Sequence, residues 1–146
     1  MFGLPQDIQD KTGAAVLFVT HDLGAAAQIA DRVEVMYAGK LVEIGTAEKI
    51  FHDPRHPYTW RLLASVPSVE GMGEPFSIPG APPDQLTPPP GDVFAPRNRW
   101  ALGIGREEPP LFRVSDTHYT ATWLLHPDAP HVEPPVRVWG SVTGNG

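Results

Sequence analysis

The 146-residue chain contains no cysteine. That removes disulfides, thiol catalysis, Cys-ligated zinc and all-cysteine iron–sulfur sites from its chemistry. Basic residues are few, 11 against 17 acidic ones, for a formal net charge of -6. Without a basic block, neither a nucleic-acid binder nor an anionic-membrane binder is indicated. No uninterrupted apolar run approaches the ~20 residues of a membrane span. Residues 1–11 lack the basic, apolar, small order of a signal peptide. A soluble, cytoplasmic protein is the expectation.

Proline is scarce in the first part of the chain and dense in the second. Of 18 prolines, 15 lie at or after Pro67. Pro82-Pro83, Pro88-Pro89-Pro90, Pro109-Pro110 and Pro134-Pro135 each fix backbone angles and remove amide donors. Long helices and central strands are therefore not expected there. The second part reads as an extended, loop-rich appendage. The first, to about Val66, has helix and strand periodicity with few breakers.

The stretch that organises the first part is residues 15–45. Residues 15–19 are continuously apolar, which suits a strand buried on both faces of a parallel sheet. The run ends in Thr20-His21-Asp22. Asp22 can cap a helix whose apolar face is Leu23, Ala26, Ala27 and Ile29. Val33, Val35 and Tyr37 alternate with Glu34 and Met36, a strand pattern. Ala38-Gly39-Lys40 turns the chain into a hairpin. Thr46 caps a further helix that Pro54 stops, and Pro57 stands at the first position of another. Upstream, residues 7–12 read as a helix end with Gly13 as its stop. A polar triplet between a buried strand and a helix start is a common place for a phosphate-contacting side chain.

The motifs, in order, are Thr20-His21-Asp22-Leu23, Ala30-Asp31-Arg32-Val33, Val35-Met36-Tyr37-Ala38-Gly39-Lys40, Glu43 and Gly45. His56-Pro57-Tyr58-Thr59, Leu62-Leu63, Val66-Pro67 and Ile78-Pro79-Gly80 with Pro82-Pro83 follow. Together they resemble the last third of the ATP-binding subunits of oligopeptide and dipeptide ABC importers, with their C-terminal extension. The resemblance covers roughly residues 11–127. It implies an α/β fold: a C-terminal portion of a P-loop ABC nucleotide-binding domain over residues 1–66, with the switch-histidine region. The proline-rich extension then spans 67–127, and a flexible tail 128–146. The strand at 15–19 would lie in a mostly parallel sheet.

By that resemblance His21 is the switch histidine, the catalytic and ATP-contacting residue that meets the γ-phosphate and helps to position the attacking water. A neutral imidazole can donate to a phosphate oxygen or take part in a proton relay. The intact family uses ATP and Mg. Here the Gly-x-x-x-x-Gly-Lys-Ser/Thr phosphate loop is absent from the sequence, as are the Ser-Gly-Gly-Gln signature and the apolar strand ending in Asp-Glu. Residues 2–11 fit the family's preceding helix poorly, because Pro5 would break it. The chain is expected to be a C-terminal portion that neither binds ATP tightly nor hydrolyses it alone. Its isolated fold is expected to be marginal or self-associating, since the strand lacks its neighbours.

The extension of that family commonly carries four cysteines that look like iron–sulfur ligands. Asp92, Asn98, Gly105 and Thr122 occupy the same spacing here. These side chains cannot replace four thiolates, so no cluster is expected. Six histidines (His21, His52, His56, His118, His126 and His131) show no unbroken helical ligand spacing, and no metal site is expected. Two functions follow. One is a truncated subunit for ATP-driven peptide import, peripheral to the membrane, whose partners are the ATP-binding and membrane subunits of an ABC transporter. The other is a standalone, non-catalytic interaction or regulatory module that binds such subunits.

Overall fold

The computed structural model describes residues 3–64, 86–87, 90–98 and 102–132. Helix α1 spans Gly3–Thr12 and α2 spans Leu23–Ile29. Strands β1 (Arg32–Tyr37) and β2 (Lys40–Thr46) form the hairpin. Helices α3 (Ala47–His52) and α4 (Pro57–Ala64) follow. Strands β3 (Phe112–Ser115) and β4 (His118–Thr120) complete a four-stranded antiparallel sheet in the order β1-β2-β4-β3. Short 3-10 turns lie at Ala95–Arg97, Gly103–Arg106 and Trp123–Leu125.

Local chemistry explains most of the first part. Asp22 Oδ1 accepts from the Ala25 N–H at 3.1 Å and starts α2. Thr46 Oγ1 accepts from the Lys49 N–H at 3.3 Å and starts α3. The two-residue hairpin turn places Ala38 at φ 51° and Gly39 at φ 80°. Both angles match the twist that a tight hairpin needs. Gly45 sits in a tight place: a Cβ there would stand 3.3 Å from Ile50 Cδ1 and 3.4 Å from His118 Cδ2, so these neighbours would have to give by a few tenths of an ångström.

Three sequence expectations are corrected. Residues 15–19 form no strand and are exposed, with Leu17 at 90% and Val19 at 87%. The described sheet is antiparallel and gives this run no partner, so its apolar side chains remain in water. Pro5 does not break a helix: α1 begins at Gly3, and Pro5 falls in its first turn, where a missing amide costs nothing. Finally, the proline-rich part does supply a central strand. β4 contains no proline and lies between β2 and β3, pairing Glu43 with Thr120 and Ile44 with Tyr119.

The core lies on one side of the hairpin. Val35, Tyr37, Val42, Ile50, Val93 and Phe94 pack together, with Tyr58 and Leu62 against them. Tyr37 meets Phe94 edge-on at 5.1 Å between ring centroids and Tyr58 at 4.6 Å. Arg97 Nη1 donates to Tyr37 Oη at 3.2 Å. A second cluster, Ala26, Phe51 and Leu63, seats α2 on α3 and α4. The register of the hairpin shifts between Val35 and Met36: Val35 faces Glu43, whereas Met36 faces Leu41. Val42 is the extra residue of this bulge, and consecutive residues Val42 and Glu43 are consequently both buried.

Candidate functional site

His21 lies in an exposed bend between the apolar run and α2. Its neighbours shape that bend. Thr20 Oγ1 accepts from the Asp22 N–H at 2.9 Å, and Asp22 then caps α2. The packing of Ala25 and Ala26 fixes where α2 begins, and hence where His21 is held. Around His21 the described residues build no phosphate cradle, and α2 is only seven residues long.

The four positions at cysteine spacing hold residues with backbone duties. Asp92 is buried, and its Oδ1 accepts from the Phe94 N–H at 3.0 Å. Burial pushes the Asp92 carboxyl up from its ordinary value, against the lowering effect of the Phe94 and Ala95 N–H groups. Asn98 ends the turn Ala95–Arg97, and Gly105 lies in Gly103–Arg106. Thr122 is buried and accepts from the Leu124 N–H at 3.3 Å. Asp92 and Thr122 therefore cap turns with oxygen acceptors. Among the described residues, no group of three or more His, Asp or Glu is arranged to hold a metal ion.

The densest polar arrangement is one that sequence reasoning passed over. Glu43, on β2, is fully buried. Its Oε1 accepts from the Arg55 N–H at 2.7 Å, from His118 Nε2 at 2.6 Å and from Thr120 Oγ1 at 3.3 Å. Its Oε2 accepts from the His56 N–H at 3.1 Å. A carboxylate oxygen can only accept, so His118 Nε2 is the donor in this contact, and the buried His118 Nδ1 has no hydrogen-bond partner among the described residues. His56 Nδ1 accepts from the Tyr58 N–H at 3.0 Å and so caps α4. Burial lowers the His56 pKa to about 4, with Glu43 and a hydrogen bond to the Ala121 backbone acting the other way. Glu43, His56, His118 and Thr120 are all buried, and only the Arg55 end of the cluster is half-exposed. The cluster ties β2, the 53–56 loop and β4 together, and its work is structural.

Sequence periodicity pointed the wrong way at Glu43. An acid between Val42 and Ile44 reads as the solvent side of a strand, and only the bulge turns it inward. The available signal was a mid-strand carboxylate in a chain with a distant histidine, His118, whose ring can donate to it.

Residues 42–103 match the family model for the oligopeptide/dipeptide transporter, C-terminal region. The oligopeptide transport ATP-binding protein OppD of Bacillus subtilis is 59% identical over 138 residues, which cover 92% of this chain and 38% of that protein. The dipeptide transport ATP-binding protein DppD of Lactococcus lactis is 54% identical over 130 residues, 88% of this chain and 37% of that one. The oligopeptide transport ATP-binding protein AmiE of Streptococcus pneumoniae is 52% identical over 137 residues, 92% of this chain and 39% of that one. The chain thus spans under two fifths of the length of these relatives. No described helix is long and apolar enough to cross a membrane. The chain matches the C-terminal region of oligopeptide and dipeptide transport ATP-binding proteins.

Proposed function

We propose that this chain serves ATP-driven import of peptides, as the part of an ATP-binding subunit that carries the switch histidine, His21, and the C-terminal extension. The observation that carries the reading is similarity over about nine tenths of the chain to relatives named as oligopeptide and dipeptide transport ATP-binding proteins. The exposed apolar run 15–19 agrees with it. In the resembled fold that run is an inner strand, and here it reaches His21 without a sheet around it. The remaining parts of the nucleotide site, with ATP and magnesium, belong to the assembled protein. So do the membrane subunits that it would meet as a peripheral component at the membrane surface. These residues by themselves neither bind ATP tightly nor hydrolyse it.

A chimera tests this. The part of Bacillus subtilis OppD that precedes the similar region is fused to this chain, and ATP turnover is measured with and without His21→Ala. The chimera is expected to hydrolyse ATP, and His21→Ala to lower kcat by about 10²-fold or more, the scale for loss of a positioned proton-transfer group. The chain alone is expected to give no turnover and no micromolar ATP binding by calorimetry. A folded, active chimera indifferent to His21→Ala would refute the role of His21. Tight ATP binding by the chain alone would refute its dependence on the missing parts.

A further inference from the structure

A pocket of about 600 Å³ opens between the start of β2, the segment 91–93 and the segment 108–111. That volume is within the range of small-molecule sites. Its wall is mostly aliphatic: Val42 and Val93 lie at the base, and the half-exposed Leu41 and Leu111 at the edge. Two consecutive prolines, Pro109 and Pro110, stiffen one side. The polar groups are few and differ in kind. Lys40 Nζ and Glu108 Oε1 pair at 2.7 Å, so these two exposed charges largely cancel. Asp92 does not have such a partner: among the described residues no Lys or Arg pairs with it.

Asp92 is 7% exposed and lines the pocket. Its carboxylate accepts from the Phe94 N–H, while the Ala95 N–H bonds the Asp92 backbone carbonyl at 3.0 Å. A carboxylate has about four acceptor sites, so capacity remains. A buried carboxylate without a cation is costly, and a cationic donor beside it would offset that cost. A ligand that used the pocket fully would therefore have an apolar body for Leu41, Val93 and Leu111 and a positive head for Asp92.

We propose that this pocket is a binding site for a small amine bearing an apolar substituent, with Asp92 as the anchor of its ammonium group. The site goes beyond the nucleotide-linked reading and is independent of it. Neither His21 nor any part of an ATP site takes part.

The test uses the full chain labelled with ¹⁵N and titrated with phenethylamine, with 2-phenylethanol as the uncharged analogue of similar shape. Phenethylamine is expected to shift the backbone amides of residues 40–42, 91–93, 108, 111 and 121 in a saturable manner. The alcohol, and Asp92→Asn with the amine, are expected to bind about tenfold or more weakly, the size of a lost charge-assisted contact. Leu111→Ala, at an exposed position, is expected to weaken the amine by about threefold through lost apolar area. Shifts confined to other residues would overturn the site. Equal binding of amine and alcohol, or of Asp92→Asn and the parent chain, would overturn the assignment of Asp92.

Discussion

The buried carboxylate of Glu43 allows a sharp prediction. Glu43→Ala removes the one acceptor that four donors share: the Arg55 and His56 N–H groups, His118 Nε2 and the Thr120 hydroxyl. Arg55 is only half-buried, so water can reach its amide, and the Thr120 hydroxyl can rotate. The His56 N–H and His118 Nε2 are fully enclosed. Each buried donor left without an acceptor costs about 1–3 kcal/mol. Two of them give about 2–6 kcal/mol, a large share of the ~5–15 kcal/mol by which domains are stable.

Glu43→Gln separates hydrogen bonding from shape. The amide oxygen can keep the Oε1 position, where three donors converge, and the NH₂ then faces the His56 N–H. One buried donor loses its acceptor, at about 1–3 kcal/mol. Glu43→Leu combined with His118→Leu removes both sides of the closest contact, and it should cost less than Glu43→Leu alone. Urea unfolding followed by circular dichroism measures all of these. The expected order of stability is parent, then Glu43→Gln, then Glu43→Ala. If Glu43→Ala lies within about 0.5 kcal/mol of the parent, the range of ordinary surface changes, the carboxylate does not hold the three segments together.

Stability should also depend on pH through His56. Its folded pKa, about 4, lies below the ordinary histidine value of 6.5, so between these limits the unfolded chain binds a proton that the folded one does not. Stability is therefore lost as pH falls from about 6.5 towards 4, by up to about 3 kcal/mol. His56→Asn keeps an acceptor for the Tyr58 N–H and should flatten that part of the urea-midpoint profile. Asp92→Asn keeps the oxygen that accepts from Phe94 and removes a carboxyl that burial disfavours when charged. Its melting temperature at neutral pH should equal or exceed the parent's. Ala38→Asn should stabilise by about 0.5–1 kcal/mol, because a left-handed conformation is strained for Ala and tolerated by Asn, whereas Gly39→Ala should destabilise. Leu17→Lys with Val19→Lys should leave the unfolding midpoint unchanged and reduce self-association in sedimentation, since both side chains are exposed.

The elements legible in the sequence were those whose signals are local. Asp22 and Thr46 cap α2 and α3 as their side chains suggest. Val35 and Tyr37 face inward while Glu34 and Met36 face water. Pro57 opens α4. Residues 15–19 were misread because an apolar run marks a buried strand only when other strands surround it. β3 and β4 were hidden for another reason. They have four and three residues, and their turn, Asp116-Thr117, contains no glycine, so neither periodicity nor turn composition announces a hairpin. The Arg113–Asp116 contact supports that turn instead. In the sequence, His21 was visible as the expected switch histidine of the resembled family, and Asp92 only as a non-cysteine at a cluster ligand's spacing. Glu43 was not, because its role depends on a bulge and on His118, which is 75 residues away.

The placement of β4 gives the extension a role in where His21 sits. β4 pairs with β2 and sends His118 and Thr120 onto Glu43. Glu43 in turn holds the Arg55 and His56 amides, and the His56 ring caps α4. Trp60 Nε1 donates to the Pro54 carbonyl at 2.8 Å, locking α4 to the same loop. Leu63 of α4 packs with Phe51 and Ala26, the seat of α2. Asp22 starts α2 one residue after His21. Each step is a buried contact or a hydrogen bond, and the closely packed interior leaves little slack between them. The proline-rich part is thus more than an appendage to the hairpin. Its central strand fixes a loop, the loop fixes α4, and α4 fixes the short helix that presents His21. Loss of the Glu43 carboxylate should for this reason loosen the base of α2 together with the sheet, although Glu43 and His21 lie on different elements.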